Sequence, residues 1–325
     1  MPSICYRVTS IENRISWLDF VYAAWYCVYL FQKATMVTYL KLLLMAFFWG
    51  GTFVVGRTLA QTVGPFAAAF FRFAIASVFL VFLLRRAEGK LHWPEKSQII
   101  PIILLGLTGA LLYNFFFLKG LKMIEAGRAS VIIANNPIFI ALLSAYFFKE
   151  RLDLVKVIGI IISVGGAIVV ISRGRVFEIF QGGLGLGEVY IFGCVASWVV
   201  FSLIGKTVMN DLSPLRSVTY TSIVGTLFLA APAFLEGGFG FLGYSLSEWA
   251  MIFYLGFFGT VLGFLWYYQG IQKIGPTRAG LFINFVPISA ILLAFIFIGE
   301  PITMSLLIGT VLVSSGVYLT NRPTS

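Results

Sequence analysis

The chain has 325 residues, of which 59% are hydrophobic and only 11% are charged, and its formal net charge is +10. Soluble domains carry about 25% charged residues, so this composition excludes an ordinary soluble domain and indicates repeated membrane spans. Lysine and arginine gather in the loops of membrane proteins, so the basic charge does not predict a nucleic-acid partner. The three cysteines, Cys5, Cys27 and Cys194, show no metal-ligand spacing and are expected to be free thiols.

The first 35 residues stand apart from the rest of the chain. Residues 17–31 are apolar, but Asp19 interrupts them and the run is short for a membrane span. No small-residue cleavage site follows, so a cleaved signal peptide is not predicted. We interpret residues 1–35 as an N-terminal extension, either interfacial or loosely packed, or as a mis-assigned start.

Ten helical spans are predicted after this extension. Each has about the 20 residues that cross 30 Å of hydrocarbon, and breaks fall at charged or Gly/Pro-rich segments. Helices are expected because lipid cannot satisfy backbone polar groups, and no alternating pattern indicates a barrel. The predicted fold class is therefore an all-α integral membrane protein. The predicted limits are 38–60, 65–85, 98–118, 126–148, 153–172, 186–208, 215–235, 248–270, 276–298 and 302–320.

The second half of the chain repeats the first. Residues 120–166 match residues 270–316 at a constant offset of 150, and the first spans of the halves match at an offset of 149. An odd number of spans per repeat inserts the second repeat upside down, so two inverted five-helix repeats are predicted, at 36–172 and 183–320. The matched pairs include Gly120 and Gly270, Arg128 and Arg278, Pro137 and Pro287, Glu150 and Glu300, Gly159 and Gly309, Trp49 and Trp198, and Pro65 and Pro214.

The distribution of basic residues predicts the orientation. With the N-terminus in the cytoplasm, cytoplasmic segments hold sixteen lysines and arginines and outer segments hold six. This positive-inside bias predicts that both termini lie in the cytoplasm.

Several motifs occur in the order and spacing of one known family. They are WGGTFVVGR (49–57), FRFAIAS (71–77), AGRASVIIANNPIF (126–139), KERL (149–152), PTRAGLFINFVP (276–287) and GEP (299–301). With the duplication, they make residues 38–320 resemble the EamA family of the drug/metabolite transporter superfamily. The resemblance implies ten helices, two inverted repeats and a central cavity. It also implies export of amino acids or related metabolites across a bacterial inner membrane.

Candidate substrate-binding residues are polar or aromatic side chains placed within the spans, where a transporter of inverted repeats binds its substrate. Trp49 and Trp198 are related by the repeat, and both cavity lining and helix packing remain open for them. The asparagines near Pro137 and Pro287 either contact substrate or satisfy the backbone that proline leaves free. The candidates are Trp49, Trp198, Asn135, Asn136, Asn284, Arg72, Asn114, Ser202, Tyr220 and Trp266.

Arg72 is the only basic residue well inside a predicted span. An unpaired cation in lipid is costly, so three interpretations are open. Arg72 binds a substrate carboxylate, pairs with Glu188, or extends toward the nearby outer surface.

Four charged residues mark the ends of the repeat-related spans four and nine. Arg128 and Arg278 begin these spans, and Glu150 and Glu300 end them. Their symmetry predicts gate-closing ion pairs on each face, and ordinary interfacial anchoring is the alternative. Glu188 is the candidate for proton coupling, because it is the carboxylate best placed to titrate on a transport pathway.

Other function classes are less well supported. The only histidine, His92, lies in a charged loop, so an HExxH zinc site is excluded, and no GxSxG motif is present. We therefore predict no enzyme activity, no catalytic residue, no metal site and no cofactor. No filter-like repeat indicates a channel. A nucleotide-sugar or sugar-phosphate carrier of the same superfamily is the main alternative. The expected partners are a small-molecule substrate and the bilayer, with the protein a monomer or homodimer.

Overall fold

Ten apolar helices form the bundle in the computed structural model of the protein. In the described residues, nine of these helices are long and apolar enough to cross a membrane. The tenth helix, Met304–Thr320, is shorter, with 17 residues. The structure describes residues 17–89, 93–149, 153–175, 185–208, 212–237 and 243–321. The spans are α1 (Met36–Leu59), α2 (Pro65–Glu88), α3 (Lys96–Met123), α4 (Ala126–Phe147), α5 (Leu154–Ile171), α6 (Leu186–Gly205), α7 (Pro214–Gly237), α8 (Leu246–Ile274), α9 (Arg278–Ile298) and α10 (Met304–Thr320).

The helix that contains α1 begins before the span. It runs unbroken over Trp17–Leu59, which is 43 residues. At 1.5 Å per residue this is about 65 Å, roughly twice the thickness of the hydrocarbon layer. Residues 17–35 therefore form one continuous helix with α1, residues 1–16 lie outside the described residues, and the assignment of residues 1–35 to an extension stays a prediction.

We predict that residues 1–35 are dispensable, because both repeats are complete without them. A protein that starts at Met36 is expected to insert into the membrane and to transport at the wild-type rate. Its melting temperature should change by less than about 2 °C, because no contact within the repeats is removed. Failure of this shorter protein to insert would show that the first span needs the preceding helix.

Two spans contain π-helical segments at repeat-related places. In α3 the segment is Gly106–Leu112, and in α8 it is Tyr254–Leu262, which includes the positions 150 residues later. A π-helical turn inserts an extra residue into the helix and leaves its neighbouring carbonyl groups open to other donors. Such segments are frequent at functional sites, and both of these face the centre of the bundle.

The spans α4 and α9 are also broken at equivalent depths. α4 consists of Ala126–Ile133 and Asn136–Phe148, and α9 has a 3-10 turn over Phe282–Asn284. Each break comes just before a proline, Pro137 or Pro287, which supplies no backbone donor to the preceding turn. The sequence of each repeat therefore encodes the same irregularity.

Glycine contacts between α5 and α10 show the inverted symmetry directly. Gly159 packs against the backbone of Gly316, and Gly166 packs against the backbone of Gly309. The offset of 150 relates Gly159 to Gly309 and Gly166 to Gly316, so the two contacts are one contact repeated by a pseudo-two-fold axis. Small residues of this kind let helix backbones approach closely in a membrane.

The helices α2 and α7 also make a contact between repeat-related residues at a pseudo-two-fold axis. The hydroxyl oxygens of Ser77 and Thr226 are 3.3 Å apart, and the two residues are separated by the offset of 149. A residue that touches its own repeat counterpart lies next to the symmetry axis. The predicted fold, ten helices in two inverted five-helix repeats, is confirmed.

Candidate functional site

A central cavity lies between helices of both repeats. It has a volume of about 40 Å³ and is lined by residues of α2, α3, α6, α7 and α8. An engineered cavity of about 150 Å³ holds benzene, so a cavity of about 40 Å³ would have to widen, by separation of these helices, to admit a metabolite. The polar residues of the lining are Arg72, Tyr113, Asn114, Ser217, Thr221, Ser222, Thr260 and Tyr268, and the large apolar ones are Phe73, Trp198, Phe201 and Phe264.

The guanidinium of Arg72 joins the two π-helical regions. Its Nε donates to Thr260 Oγ1 at 3.0 Å, and its Nη1 donates to Asn114 Oδ1 at 2.8 Å. Asn114 in turn donates to the carbonyl of Ala110 at 2.9 Å, and Thr260 donates to that of Leu255 at 3.0 Å. The irregular helices thus supply neutral acceptors that hold the cation in one place.

Arg72 is buried without an ionic partner. It is 8% exposed, and it forms no ion pair with any carboxylate in the part of the chain that the structure describes. Its Nη2 makes no hydrogen bond to another described residue. The guanidinium points inward to the cavity instead of to a surface, and Glu188 pairs with Arg128 instead. Of the three interpretations of Arg72, pairing with Glu188 and extension to the outer surface do not occur in the described residues, and binding of a substrate carboxylate stays a prediction.

The two repeat-related tryptophans have different surroundings. Trp49 Nε1 donates to the carbonyl of Gly259 at 2.9 Å, within the π-helical segment of α8, and Trp49 does not line the cavity. Trp198 lines the cavity and lies near Phe264, at 6.1 Å between ring centres. Its indole N–H has no partner among the described residues.

A single substitution between the repeats explains this difference. Trp49 packs directly on Gly263, where a Cβ would come within 2.2 Å of the indole nitrogen. The position equivalent to Gly263 is Tyr113, whose ring lies 5.2 Å from that of Trp198. Glycine lets Trp49 reach the backbone of α8, whereas the tyrosine ring keeps Trp198 away from α3 and beside the cavity.

We expect the two tryptophans to respond differently to truncation. Trp49→Ala should destabilise the protein by roughly 3 kcal/mol, because it removes a large, partly buried ring that packs on Gly263 together with its hydrogen bond to Gly259. Trp198→Ala should reduce transport at least tenfold with a smaller loss of stability, because the ring lines the cavity. Thermal unfolding and transport assays of both purified variants test this. Equal losses of stability in the two variants would contradict the assignment.

Asn135, one of the two asparagines before Pro137, satisfies the backbone at the local helix break in this structure. Asn135 Nδ2 donates to the carbonyl of Val131 at 3.0 Å, and its Oδ1 accepts from Ser163 of α5 at 2.8 Å. Asn136 Oδ1 is buried without a hydrogen-bond partner, and Asn284 makes no side-chain hydrogen bond to another described residue. None of the three lines the cavity, and their contact with substrate stays a prediction.

Three other predicted residues also lie away from the cavity lining. Ser202 donates back to the carbonyl of Trp198 at 2.8 Å, and Trp266 stacks on Phe48 with ring centres 5.7 Å apart. Tyr220 is buried in a small apolar cluster with Ile102 of α3 and Leu212. Asn114 does line the cavity.

Sequence reasoning missed several lining residues, notably Thr221, Thr260 and Phe264. A signal for one of them was present. Thr221 lies 149 residues after Arg72, so it is the repeat counterpart of the residue that the sequence singled out. Thr260 and Phe264 carried no such signal, because a threonine or phenylalanine in a span is ordinary.

Ion pairs tie the two repeats together at one end of the bundle, which we call the Glu300 end. Glu300 Oε1 pairs with Arg57 Nε at 2.8 Å. The same carboxylate accepts from the backbone N–H groups of Ala126 at 2.8 Å and Gly127 at 3.2 Å. It therefore caps the N-terminus of α4, where the helix dipole favours a negative charge.

A second and more deeply buried ion pair lies at this end. Arg128 Nη2 is 2.8 Å from Glu188 Oε1, and Glu188 also accepts from the backbone N–H of Gly185 at 3.0 Å. An outer, more exposed pair joins Arg173 and Glu125 at 2.7 Å. Arg128 and Glu300 thus take part in cross-repeat contacts, as candidate gating residues should, but each has a partner that the sequence had not assigned.

The opposite end of the bundle is less connected in the described residues. Arg278 is exposed and pairs with no described carboxylate, and its predicted counterpart Glu150 lies outside the described residues. Arg216 of α7 pairs with Glu88 of α2. The gating roles of Arg278 and Glu150 remain predictions.

We predict that the ion pairs Arg57–Glu300 and Arg128–Glu188 keep the Glu300 end closed. Glu300→Gln should weaken closure by about 2 kcal/mol, roughly 30-fold in a two-state equilibrium, since it removes the charge that both pairs with Arg57 and caps the N-terminus of α4. The measurement is the rate at which a cysteine replacing buried Ala129 reacts with a polar thiol reagent. Arg173→Gln, in the exposed pair, is the control and should change that rate little. Equal rates in all three proteins would contradict a gate.

Inverted five-helix repeats around a polar cavity define the class of a membrane transporter. The sequence profile of the EamA-like transporter family matches residues 36–172 and 185–322, and the chain belongs to this family. It is therefore a multi-pass membrane transporter of the drug/metabolite transporter superfamily.

The chain is similar to transporters from several organisms. An uncharacterized transporter of Archaeoglobus fulgidus is 30% identical over 287 residues, which cover 88% of this chain and 99% of the relative. The uncharacterized transporter YyaM of Bacillus subtilis is 29% identical over 280 residues, covering 86% and 92% respectively. A solved crystal structure shares the fold, with a TM-score of 0.58 and 21% identity, over 87% of this chain and 96% of that one.

Proposed function

We propose that the protein exports amino acids or related small metabolites by alternating access, either by secondary-active or by facilitated transport. The observation that carries this proposal is Arg72, a cation buried in a cavity between inverted repeats with no carboxylate partner in the described part of the chain. An uncompensated buried charge is expensive, and such charges in membrane proteins usually serve a substrate pathway. A carboxylated metabolite would neutralise the guanidinium at mid-membrane.

The distribution of ion pairs supports alternating access. At the Glu300 end, two ion pairs, Arg57–Glu300 and Arg128–Glu188, join elements of both repeats, while Arg216–Glu88 is the one cross-repeat ion pair in the described residues of the other end. Inverted repeats have two related arrangements, so closure at one end is matched by opening at the other. A cavity of fixed width through both ends would not need such pairs.

The charged residues that line the cavity, and those that do not, bear on the coupling mechanism and on the alternative substrate class. Glu188 is paired with Arg128 and does not line the cavity, so exchange or facilitated diffusion is as well supported as proton antiport. A carrier of nucleotide sugars or sugar phosphates needs several cations for its phosphates, and Arg72 is the only charged residue of the lining. We therefore favour a substrate with one carboxylate.

We propose a location in a bacterial inner membrane with both termini in the cytoplasm, on the bias of lysine and arginine toward one set of loops. A cysteine in the 236–247 loop should then react only with an external reagent. Labelling of that cysteine from the inside would reverse this orientation.

Counterflow in proteoliposomes tests the function. Vesicles loaded with an unlabelled amino acid or related acid should accumulate the labelled compound transiently, because an alternating carrier exchanges substrate across the membrane. A pH gradient should be imposed in a parallel series to separate antiport from exchange. A compound that enters without any stimulation by internal substrate would indicate a pore, and entry of no compound in the panel would remove the proposed substrate class.

A further inference from the structure

Arg72 and Thr221 occupy equivalent positions in the two repeats. They are separated by the offset of 149, as are Ser77 and Thr226, whose hydroxyl oxygens are 3.3 Å apart next to the symmetry axis. Arg72 and Thr221 both line the central cavity. The site is therefore built from one cation and, in the equivalent place, one hydroxyl.

The Thr221 hydroxyl differs from those of two other threonines on α7, Thr219 and Thr226. Its Oγ1 is buried and has no hydrogen-bond partner among the described residues. Thr219 Oγ1 donates to the carbonyl of Leu215 at 2.7 Å, and Thr226 Oγ1 donates to that of Ser222 at 2.8 Å, as threonines in helices commonly do. A buried polar group without a partner is costly, so Thr221 is available to a ligand.

The charge of the residues that line the cavity restricts the net charge of the ligand that can bind there. Arg72 is the only charged side chain among the lining residues, and none of them is a carboxylate. The carboxylate of a zwitterion would neutralise the guanidinium of Arg72. The ammonium of the same zwitterion would then lie close to the guanidinium, and no lining residue offers an anion to pair with that ammonium. A net monoanion leaves the site neutral, which is the state that a low-dielectric cavity favours.

Aromatic rings form the largest apolar part of the site. Trp198, Phe201 and Phe264 line the cavity, with Trp198 and Phe201 5.1 Å apart between ring centres. Flat apolar surfaces of this kind favour an aryl group, which packs on rings by stacking or edge contacts.

We propose that the site selects an aryl carboxylate without an ammonium group. Arg72 pairs with the carboxylate, the Thr221 hydroxyl donates a hydrogen bond to it, and the aromatic rings hold the aryl body. This inference rests on the proposed function, and within that proposal it distinguishes the acidic relatives of amino acids from the amino acids themselves.

Three compounds with one carbon skeleton test the charge preference. They are the monoanion 3-phenylpropionate, the zwitterion phenylalanine, which is the α-amino derivative of 3-phenylpropionate, and the neutral amide 3-phenylpropionamide. Binding to the purified full-length protein is measured by thermal shift over a concentration series. We expect 3-phenylpropionate to bind at least tenfold more tightly than either of the others, and Arg72→Gln to abolish that preference.

Two isosteric variants on α7 test the hydroxyl. Thr221→Val should weaken binding of 3-phenylpropionate about five- to tenfold, which is the usual range for one lost hydrogen bond. Thr219→Val is the matched control and should bind as the wild type does, since the Thr219 hydroxyl is satisfied within its own helix. If Thr221→Val fails to fold, Thr221→Ser is the alternative variant. It keeps the hydroxyl and should bind 3-phenylpropionate as the wild type does. Weak binding by Thr221→Ser would count against the role of the hydroxyl.

The outcomes separate this inference from the proposed function. Phenylalanine binding as tightly as 3-phenylpropionate would overturn the charge preference and leave amino-acid transport standing. Binding of none of the three would also overturn the inference, while counterflow of other metabolites would still support a transporter. Loss of both binding and counterflow would remove the two proposals together.

Discussion

Arg72→Gln is expected to abolish transport and to leave the folded protein as stable as the wild type or more stable. Truncating one side of a buried, hydrogen-bonded charge interaction typically costs about 2–5 kcal/mol of binding, which is at least 30-fold in transport at low substrate concentration. Stability should not fall, because the variant no longer buries a charge without an ionic partner. Counterflow and thermal unfolding of the same preparation measure the two effects.

Arg72→Lys is the companion variant. It keeps the positive charge but loses the planar group that reaches Asn114 and Thr260 at once, so intermediate transport is expected. If Arg72 were only structural, both variants would lose stability and transport in parallel. Unchanged transport in Arg72→Gln would exclude Arg72 from the substrate site.

Gly166→Leu is expected to prevent stable folding. A Cβ at Gly166 would lie 2.7 Å from the Cβ of Leu312 and 2.9 Å from the carbonyl oxygen of Gly309, before the rest of the side chain is placed. Overpacking costs about 1–3 kcal/mol even for small insertions, and a leucine would force α5 away from α10 along the symmetry axis. The yield of monodisperse protein after extraction, and its melting temperature, report this loss.

The adjacent residue provides a matched control. Gly165 has no atom within 4 Å of the place where its Cβ would be. Gly165→Leu should therefore fold normally, and its better helix propensity is worth roughly 0.5–1 kcal/mol. Similar yields from the two variants would show that α5 and α10 do not depend on close backbone contact.

Much of the fold could be predicted from the sequence for a simple physical reason. A chain that is 59% hydrophobic must satisfy its backbone within each span, so apolar runs between charged breaks become helices. The constant offset between the halves and the odd number of spans then require an inverted repeat. The breaks before Pro137 and Pro287 follow because proline lacks the amide donor that a continuous helix needs.

The environment of each side chain was decided by the tertiary structure. Trp49 and Trp198 are equivalent in sequence, yet one bonds the backbone at Gly259 and the other lines the cavity. The difference comes from Gly263 and Tyr113, which lie in other spans and meet the tryptophans only when the helices pack. Periodicity within one helix contains no information on such a neighbour.

The partners of charged residues were decided in the same way. The pairs Arg57–Glu300 and Arg128–Glu188 join segments more than fifty residues apart, and helix position alone did not distinguish them from other combinations at the same end. The sequence by itself determined the class of protein, its ten helices and its symmetry, because these depend on hydrophobicity and repetition along the chain. Which groups meet in the cavity and at the Glu300 end depends on the rotation and approach of whole helices, and only the folded arrangement sets these.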